Sequence, residues 1–242
     1  MTTMGTRPIP FEAGGPLRAR TAAVQQFDIF LDIPPHDCLA IITGAQEKHF
    51  ERRRTVFSEF EDSVLLLLSG CLKIMQLGGN GQQIIVRLSG PGDLLGNGGR
   101  PVESAHSSSA STLQASIALV WSTKDFHSIV DRFPILQRNI SRSLERQLKE
   151  IDARYREVST EKVGARLSSQ LVRLLSKVGK QADNHVEIAL SQRELAQLTG
   201  TTLFTVSRLL SRWESLGIVS GRREAVLIRD VPALMDLARD TD

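Results

Sequence analysis

SQRELAQLTGTTLFTVSRLLSRW, residues 191–213, reads as two short helices joined by a tight turn. Ser191 is a helix-capping residue type, and Glu194 three positions on completes a reciprocal capping box. Leu195, Ala196 and Leu198 supply an apolar side before Gly200 ends the first helix. Thr201 or Thr202 caps the second, where Val206, Leu209, Leu210 and Trp213 fall on one side. The other side carries Thr205, Ser207, Arg208, Ser211 and Arg212. A helix of that make-up fits the major groove of a DNA duplex, with hydroxyls toward phosphate and Arg208 forked onto a guanine edge. Taken alone, the same pattern also fits a surface helix pair in an ordinary bundle.

The residues that follow favour the groove. Leu216-Gly217-Ile218-Val219 closes the helix with a glycine, Ser220-Gly221-Arg222-Arg223-Glu224 is a basic turn, and Ala225–Ile228 returns as a strand. Helix, turn, helix and β-hairpin together make a winged helix-turn-helix, with Arg222 and Arg223 at the wing tip for phosphate contact.

At 242 residues the chain is long enough for two domains, each with its own core. A net charge of +3 is compatible with a nucleic-acid partner but too mild to require one. Aromatic residues make up only 5%, which argues against stacking on single-stranded bases. Cys38 and Cys71 are the only cysteines, too few for a four-thiolate zinc or iron–sulfur site, and a reducing cytosol suits them. The longest purely apolar run, as at Val64–Leu68, is five residues, far short of a membrane span. Residues 1–20 hold Arg7, Arg18 and Arg20 among Pro and Gly without an apolar stretch, so a flexible arm is expected rather than a secretory signal. The expected location is the cytoplasm.

Between Val24 and Gln46 short helices are expected around a Pro34-Pro35 break, one capped by Asp37 and running through Leu39, Ile41 and Ile42. From Phe50 to Ser122 the texture changes to short apolar runs divided by glycine. Val64–Leu68, Cys71–Leu77, the alternating Ile84, Val86 and Leu88, and Leu113–Trp121 are strand candidates, with a hairpin signal at Gly78-Gly79-Asn80-Gly81. Strands this short and frequent predict an antiparallel barrel or jelly roll over 21–130.

Helical spacing resumes at Asp125. Leu144, Leu148, Ile151, Tyr155 and Val158 recur at four, three, four and three residues, a heptad seam that Leu136 and Ile140 extend less regularly upstream. Arg142, Glu145, Arg146, Lys149, Glu150, Arg154 and Arg156 fill the positions between. A helix covering its own β domain would look similar, but so narrow a stripe favours pairing with a second copy, over 131–159. A new helix is expected from Thr160 through Val163, Leu167, Leu171 and Leu175, opening a DNA-binding domain over 160–242; Lys180–Asn184 reads as a polar loop and Val186–Leu190 as a strand.

A glycine-punctuated β domain, a seam helix and a C-terminal winged helix-turn-helix, in that order, resembles the cyclic AMP receptor and fumarate–nitrate reductase regulator (CRP/FNR) family. The resemblance covers nearly the whole chain after residue 20. It is most specific in Leu190-Ser-Gln-Arg-Glu-Leu-Ala-Gln-Leu-Thr-Gly200 and Thr205-Val206-Ser207-Arg208-Leu209-Leu210, and weaker in Gly92-Asp93-Leu94-Leu95-Gly96. It implies an α+β protein: an N-terminal antiparallel barrel or jelly-roll sensor domain of the cyclic-nucleotide-binding kind, a dimerisation helix and the winged domain. The implied activity is that of a homodimeric transcription factor reading a palindromic operator with helix 202–214. An effector in the β domain would alter how the seam helices pair.

By that resemblance the base readers are Leu203, Phe204, Ser207 and Arg208, with Thr202, Thr205, Arg212, Arg222 and Arg223 completing the DNA-contacting set. Arg208 fits the family's guanine-reading arginine. Leu203 and Phe204 depart from the family's frequent Arg or Glu; an apolar pair can touch a thymine methyl, or Phe204 can pack inward and read nothing. In the sensor cassette the expected effector-pocket residues are Gly96, Asn97, Gly98, His106 and Ser107. Asn97 stands where a cyclic-nucleotide pocket needs a carboxylate for the ribose, and His106-Ser107 stand for its phosphate-binding Arg-Ser pair. Neutral histidine lacks an arginine's fork, which argues against cyclic AMP, while the Asn97-Gly98-Gly99-Arg100 backbone could serve another anion. His36, His49, His106, Cys38 and Cys71 are the available haem ligands, each more readily explained as structural or solvated. RNA polymerase and a small-molecule effector are candidate partners, although polymerase-contacting loops carry no compositional mark.

Two other functions compete. A sensor of haem or another small molecule, acting through protein–protein contact, would want an apolar recognition helix, as Leu203-Phe204 suggest; Arg208, Arg212, Arg222 and Arg223 point the other way. An enzyme is rejected, because no glycine-rich nucleotide loop, GxSxG elbow or HExxH sequence is present.

Overall fold

The computed structural model describes residues 17–56, 62–79, 81–96 and 109–239. They divide into two compact units, one of residues 17–56, 62–72, 89–96 and 109–147, the other of 73–79, 81–88 and 148–239. Among the described residues no helix is long and apolar enough to cross a membrane.

The first unit opens with α1 (Leu17–Gln25), a 3-10 turn (Asp28–Phe30) and α2 (Pro35–Thr43). Helix α1 begins inside the expected arm because Ala23 and Val24 are buried against the domain; the rest of the arm, 1–16, lies outside the described residues. Pro34, not Asp37, holds the N-cap position of α2. Pro35 fits the next position, where its missing N–H is not needed, and Asp37 sits in the first turn near the positive end of the helix.

Then come β1 (Gln46–Phe50), β2 (Ser63–Ser69), β3 (Leu72–Leu77), β4 (Gln83–Ser89), β5 (Leu94–Leu95), β6 (Ser109–Thr112) and β7 (Ser116–Ser122). Strands β1, β7, β2 and β5 form an antiparallel sheet in that order, with Leu66 opposite Leu119 and a bulge between Leu67 and Ser69. Val64 to Leu68 are all buried, so β2 reads as a continuous apolar run rather than an alternation. The expected strand Leu113–Trp121 is two strands, β6 and β7. Leu113 is turned out of the ladder, its N–H on Cys71 O and its carbonyl on Arg52 Nε, while the Ser116 hydroxyl binds back to Gln114 O. Gly70 holds φ 88, and a Cβ there would lie 2.2 Å from Ser116 Oγ, so only glycine fits that turn.

The core of this unit gathers Val24, Phe30, Ile41, Leu66, Leu119, Trp121, Phe126 and Leu136. Trp121 donates its indole N–H to Ile41 O at 3.0 Å and packs on Phe126 at 5.6 Å. Helix α3 (Thr123–Arg132) is capped by Ser122, and α4 (Pro134–Thr160) restarts at a proline after Phe133. Asn139 of α4 is buried and donates to Ile29 O and Leu31 O, at 3.1 and 2.7 Å. Leu136 and Ile140 therefore belong to this core and not to the seam.

The second unit contains the β3–β4 hairpin, closed by Gly78 N–H on Gln82 O, and the C-terminal part of α4. Helix α5 (Val163–Lys177), β8 (Gly179–Ala182), β9 (His185–Ile188), α6 (Gln192–Thr199), α7 (Leu203–Ser215), β10 (Val219–Arg222), β11 (Ala225–Ile228) and α8 (Val231–Arg239) complete it. Thr160 ends α4 rather than starting the next helix: its hydroxyl still bonds back to Arg156 O, and the chain breaks at Glu161-Lys162. The expected polar loop 180–184 contains strand β8 instead, on the edge of a sheet ordered β10-β11-β9-β8, where a polar strand faces water on its unpaired side. Leu167, Leu171, Leu174, Leu195, Val206, Leu210, Trp213 and Leu234 are buried in this unit, and the Ser168 hydroxyl donates to Leu234 O.

Candidate nucleic-acid interface

Local chemistry sets both helices of the 191–213 segment. The Ser191 hydroxyl accepts the Glu194 N–H at 3.3 Å, while Glu194 Oε2 accepts the Ser191 N–H at 2.9 Å, closing the capping box of α6. Gly200 ends α6 in the left-handed conformation, φ 62. Of the two threonines, Thr202 is the cap of α7: its hydroxyl accepts the Thr205 N–H at 3.1 Å and lies 3.0 Å from the Thr205 hydroxyl.

Val206, Leu210 and Trp213 turn α7 inward, with Leu209 only half-buried. The outward face presents Leu203, Phe204, Arg208, Ser211 and Arg212, with Thr205 and Ser207 half-buried between them. Phe204 is 74% exposed and Leu203 46%, so Phe204 does not pack inward. The wing is β10 and β11, joined by Arg223-Glu224, with Arg222 and Arg223 both exposed. Glu214 near the end of α7 fixes the wing: its Oε1 accepts the Ser220 hydroxyl at 3.1 Å and the Gly221 N–H at 3.3 Å. A cleft between α6, α7 and the wing is lined by Gln192, Arg193, Leu203, Glu214, Arg222 and Arg223 among others. Sequence reasoning missed Arg193 and Glu214; a third arginine in the cleft has no helical-face signal until the wing is folded beside it.

The seam residues Leu144, Leu148, Ile151, Tyr155 and Val158 of α4 are all exposed, between 42% and 74%. Of the expected effector-pocket residues, Asn97, Gly98, His106 and Ser107 lie outside the described residues. Gly96 is described, and its role is steric: at φ 124 its missing Cβ would stand 2.3 Å from Ser63 O. Among the suggested haem ligands, His49 Nε2 lies 2.7 Å from Glu47 Oε1, and Cys38 and Cys71 are buried. Burial first, and then the Asp37 carboxylate, push the Cys38 thiol up to about 11. Among the described residues no cluster of His, Cys, Asp and Glu could hold a metal.

A winged helix-turn-helix C-terminal to a β domain and a long helix defines a DNA-binding transcription regulator rather than an enzyme. Residues 165–237 match the Crp-like helix-turn-helix domain, and residues 47–133 the cyclic nucleotide-binding domain. The chain is 30% identical to the nitrogen fixation regulation protein FixK of Bradyrhizobium diazoefficiens, over 79% of this chain and 78% of that protein. It is 27% identical to the CRP-like cAMP-activated global transcriptional regulator of Mycobacterium tuberculosis, over 87% of this chain and 96% of the relative. A solved CRP-family regulator from Thermus thermophilus shares the fold with a TM-score of 0.68 at 21% identity, covering 80% of this chain and 97% of that one. The chain belongs to the CRP/FNR family of transcription regulators.

Proposed function

We propose that this regulator acts as a homodimer, paired along the α4 stripe, that reads a palindromic operator with residues 202–214 at half-sites about one helical turn, ~34 Å, apart. The observation that carries this reading is the outward face of α7, where Arg208 stands exposed beside Leu203 and Phe204 while the apolar face is buried. Arg208 is the guanine reader, Leu203 and Phe204 lie against thymine methyls, and Thr202, Thr205, Ser207, Arg212, Arg222 and Arg223 take phosphate or neighbouring edges. Residues 21–130 sense the effector, 131–159 pair the protomers and 160–242 bind DNA. The effector is a small molecule other than cyclic AMP, since Asn97 and His106 replace the carboxylate and the arginine that ligand needs.

The exposed Leu203-Phe204 pair is the one feature that would serve output through protein contact. The four exposed arginines Arg208, Arg212, Arg222 and Arg223 favour DNA.

Selection from a random duplex pool, followed by mobility shifts, tests the reading. A two-fold-symmetric site should be enriched, and Arg208→Ala should cost ~1–3 kcal/mol and relax preference at one guanine. Replacing thymine by uracil in that site should weaken binding at the step facing Phe204. Binding that is salt-sensitive but unselective overturns the operator, and a loss on Arg208→Ala that is equal for all sequences reassigns Arg208 to phosphate.

A further inference from the structure

Helix α6 is gripped at both ends by side chains that lie outside the helix-turn-helix. At its first turn Lys73 Nζ donates to Glu194 Oε1 at 2.7 Å, with the two side chains only 18% and 17% exposed. At its last turn the Arg154 guanidinium donates to Leu198 O, and the same group donates to Ile85 O and Val86 O. Lys73 lies on β3, Ile85 and Val86 on β4, and Arg154 on α4. The hairpin is encoded between β2 and β5 of the first unit's sheet, yet by its packing it belongs with the helix-turn-helix.

Arg154 is half-buried, and its hydrogen bonds among the described residues go to backbone carbonyls; Arg173 nearby is itself paired with Glu157. An apolar side chain of similar volume would avoid desolvating the cation but would leave three carbonyls without that donor. A half-buried cation shared between three carbonyls does one thing an apolar group cannot, which is to fix the relative register of the segments that own them. Burial disfavours the charge on Glu194, but the Lys73 hydrogen bond and the Ser191 bonds outweigh it and hold the carboxyl below its ordinary range.

We infer that Lys73 and Arg154 are positioning residues for DNA recognition: they strap α6 to the β3–β4 hairpin and α4, and α6 sets the angle at which α7 is presented. The inference rests on α7 being the recognition helix. The strap is not a plug. It grips Glu194 and Leu198 of α6, while Leu203, Phe204, Arg208, Arg222 and Arg223 all remain exposed. Helix α6 packs directly on α7 and is joined to it through the Gly200 turn, so a shift of α6 moves the readers together.

The test uses the full-length chain and the site selected above. Lys73→Met and Arg154→Met each remove one grip of the strap, and Glu194→Gln removes the charge of the first; glutamine at 194 still completes a capping box, so α6 keeps its start. Each variant should weaken binding to the selected site about tenfold, with affinity for a random-sequence duplex at the same salt changed by less than about twofold. Lys73→Arg should restore selected-site binding, and Arg154→Lys replaces Arg154→Met if the latter does not fold. In amide hydrogen exchange the hairpin 72–89 and α6 should lose protection together, with α5 and α8 unchanged. An unchanged ratio of selected to random affinity, an equal loss on both duplexes, or deprotection of α6 without the hairpin overturns the strap. Should the wild type select no site, the operator reading falls, and the exchange result still decides whether the strap exists.

Discussion

Helix α7 turns Val206, Leu210 and Trp213 into the core of its own unit, whereas Leu144, Leu148, Ile151, Tyr155 and Val158 of α4 stay exposed along five successive seam positions. Both stripes follow helical spacing, and each helix carries arginines on its other faces. The difference lies in what each has already satisfied. The Val206, Leu210 and Trp213 side of α7 is consumed within the fold, so its opposite face, with Leu203, Phe204 and Arg208, is the exposed one. On the polar sides of α4 local pairs form, such as Arg146 with Asp28, while its apolar stripe is left facing solvent. Full burial of a Leu or Ile contributes about 1.5–3 kcal/mol, and that gain is what a second copy would collect.

The sharpest way to break this contrast is Leu148→Asp with Ile151→Asp. The double variant should run as a monomer in sedimentation and lose about 10²–10⁴-fold in operator affinity, because two half-sites can no longer be held at once. A dimer that survived it would show that the stripe is not the seam. The reciprocal cut is Trp213→Ala, which removes a buried ring and should destabilise the winged domain by about 3–5 kcal/mol in urea titration, leaving the dimer intact. Arg222→Ala with Arg223→Ala should act more weakly, lowering affinity for all sequences alike and reducing the salt slope by about one per lost phosphate contact.

Acid should produce the smallest effect. The folded carboxyl of Glu194 sits below its ordinary value, so its contribution is fully present above the unfolded value and is lost as pH falls through the lowered folded one. Urea midpoints of wild type measured down that range should converge on those of Glu194→Gln, in which this titration is absent.

The parts legible from sequence are those decided over a few residues. The Ser191–Glu194 box, Gly200 and the Val206–Trp213 spacing specify the helix-turn-helix locally, and the heptad of α4 declares itself by period alone. Boundaries blurred where polar residues carry structure: Gly179–Ala182 is an edge strand with no apolar alternation, and Thr160 ends a helix although its type commonly starts one. Arg154 was hidden for a different reason. It looks like any solvated charge beside a heptad, and its three carbonyl partners lie 44 to 69 residues away in sequence. The Lys73–Glu194 pair spans 121 residues, so no window along the chain contains both.

Trp121 and Trp213 are the only tryptophans in the chain, and each is buried in the core of a different unit. The molecule thus carries one tryptophan per half. With Trp121→Phe the remaining tryptophan emission, excited apart from Tyr155, follows the winged half alone, and with Trp213→Phe it follows the sheet half. Heating or denaturant can then be read out separately for each, with no dye attached.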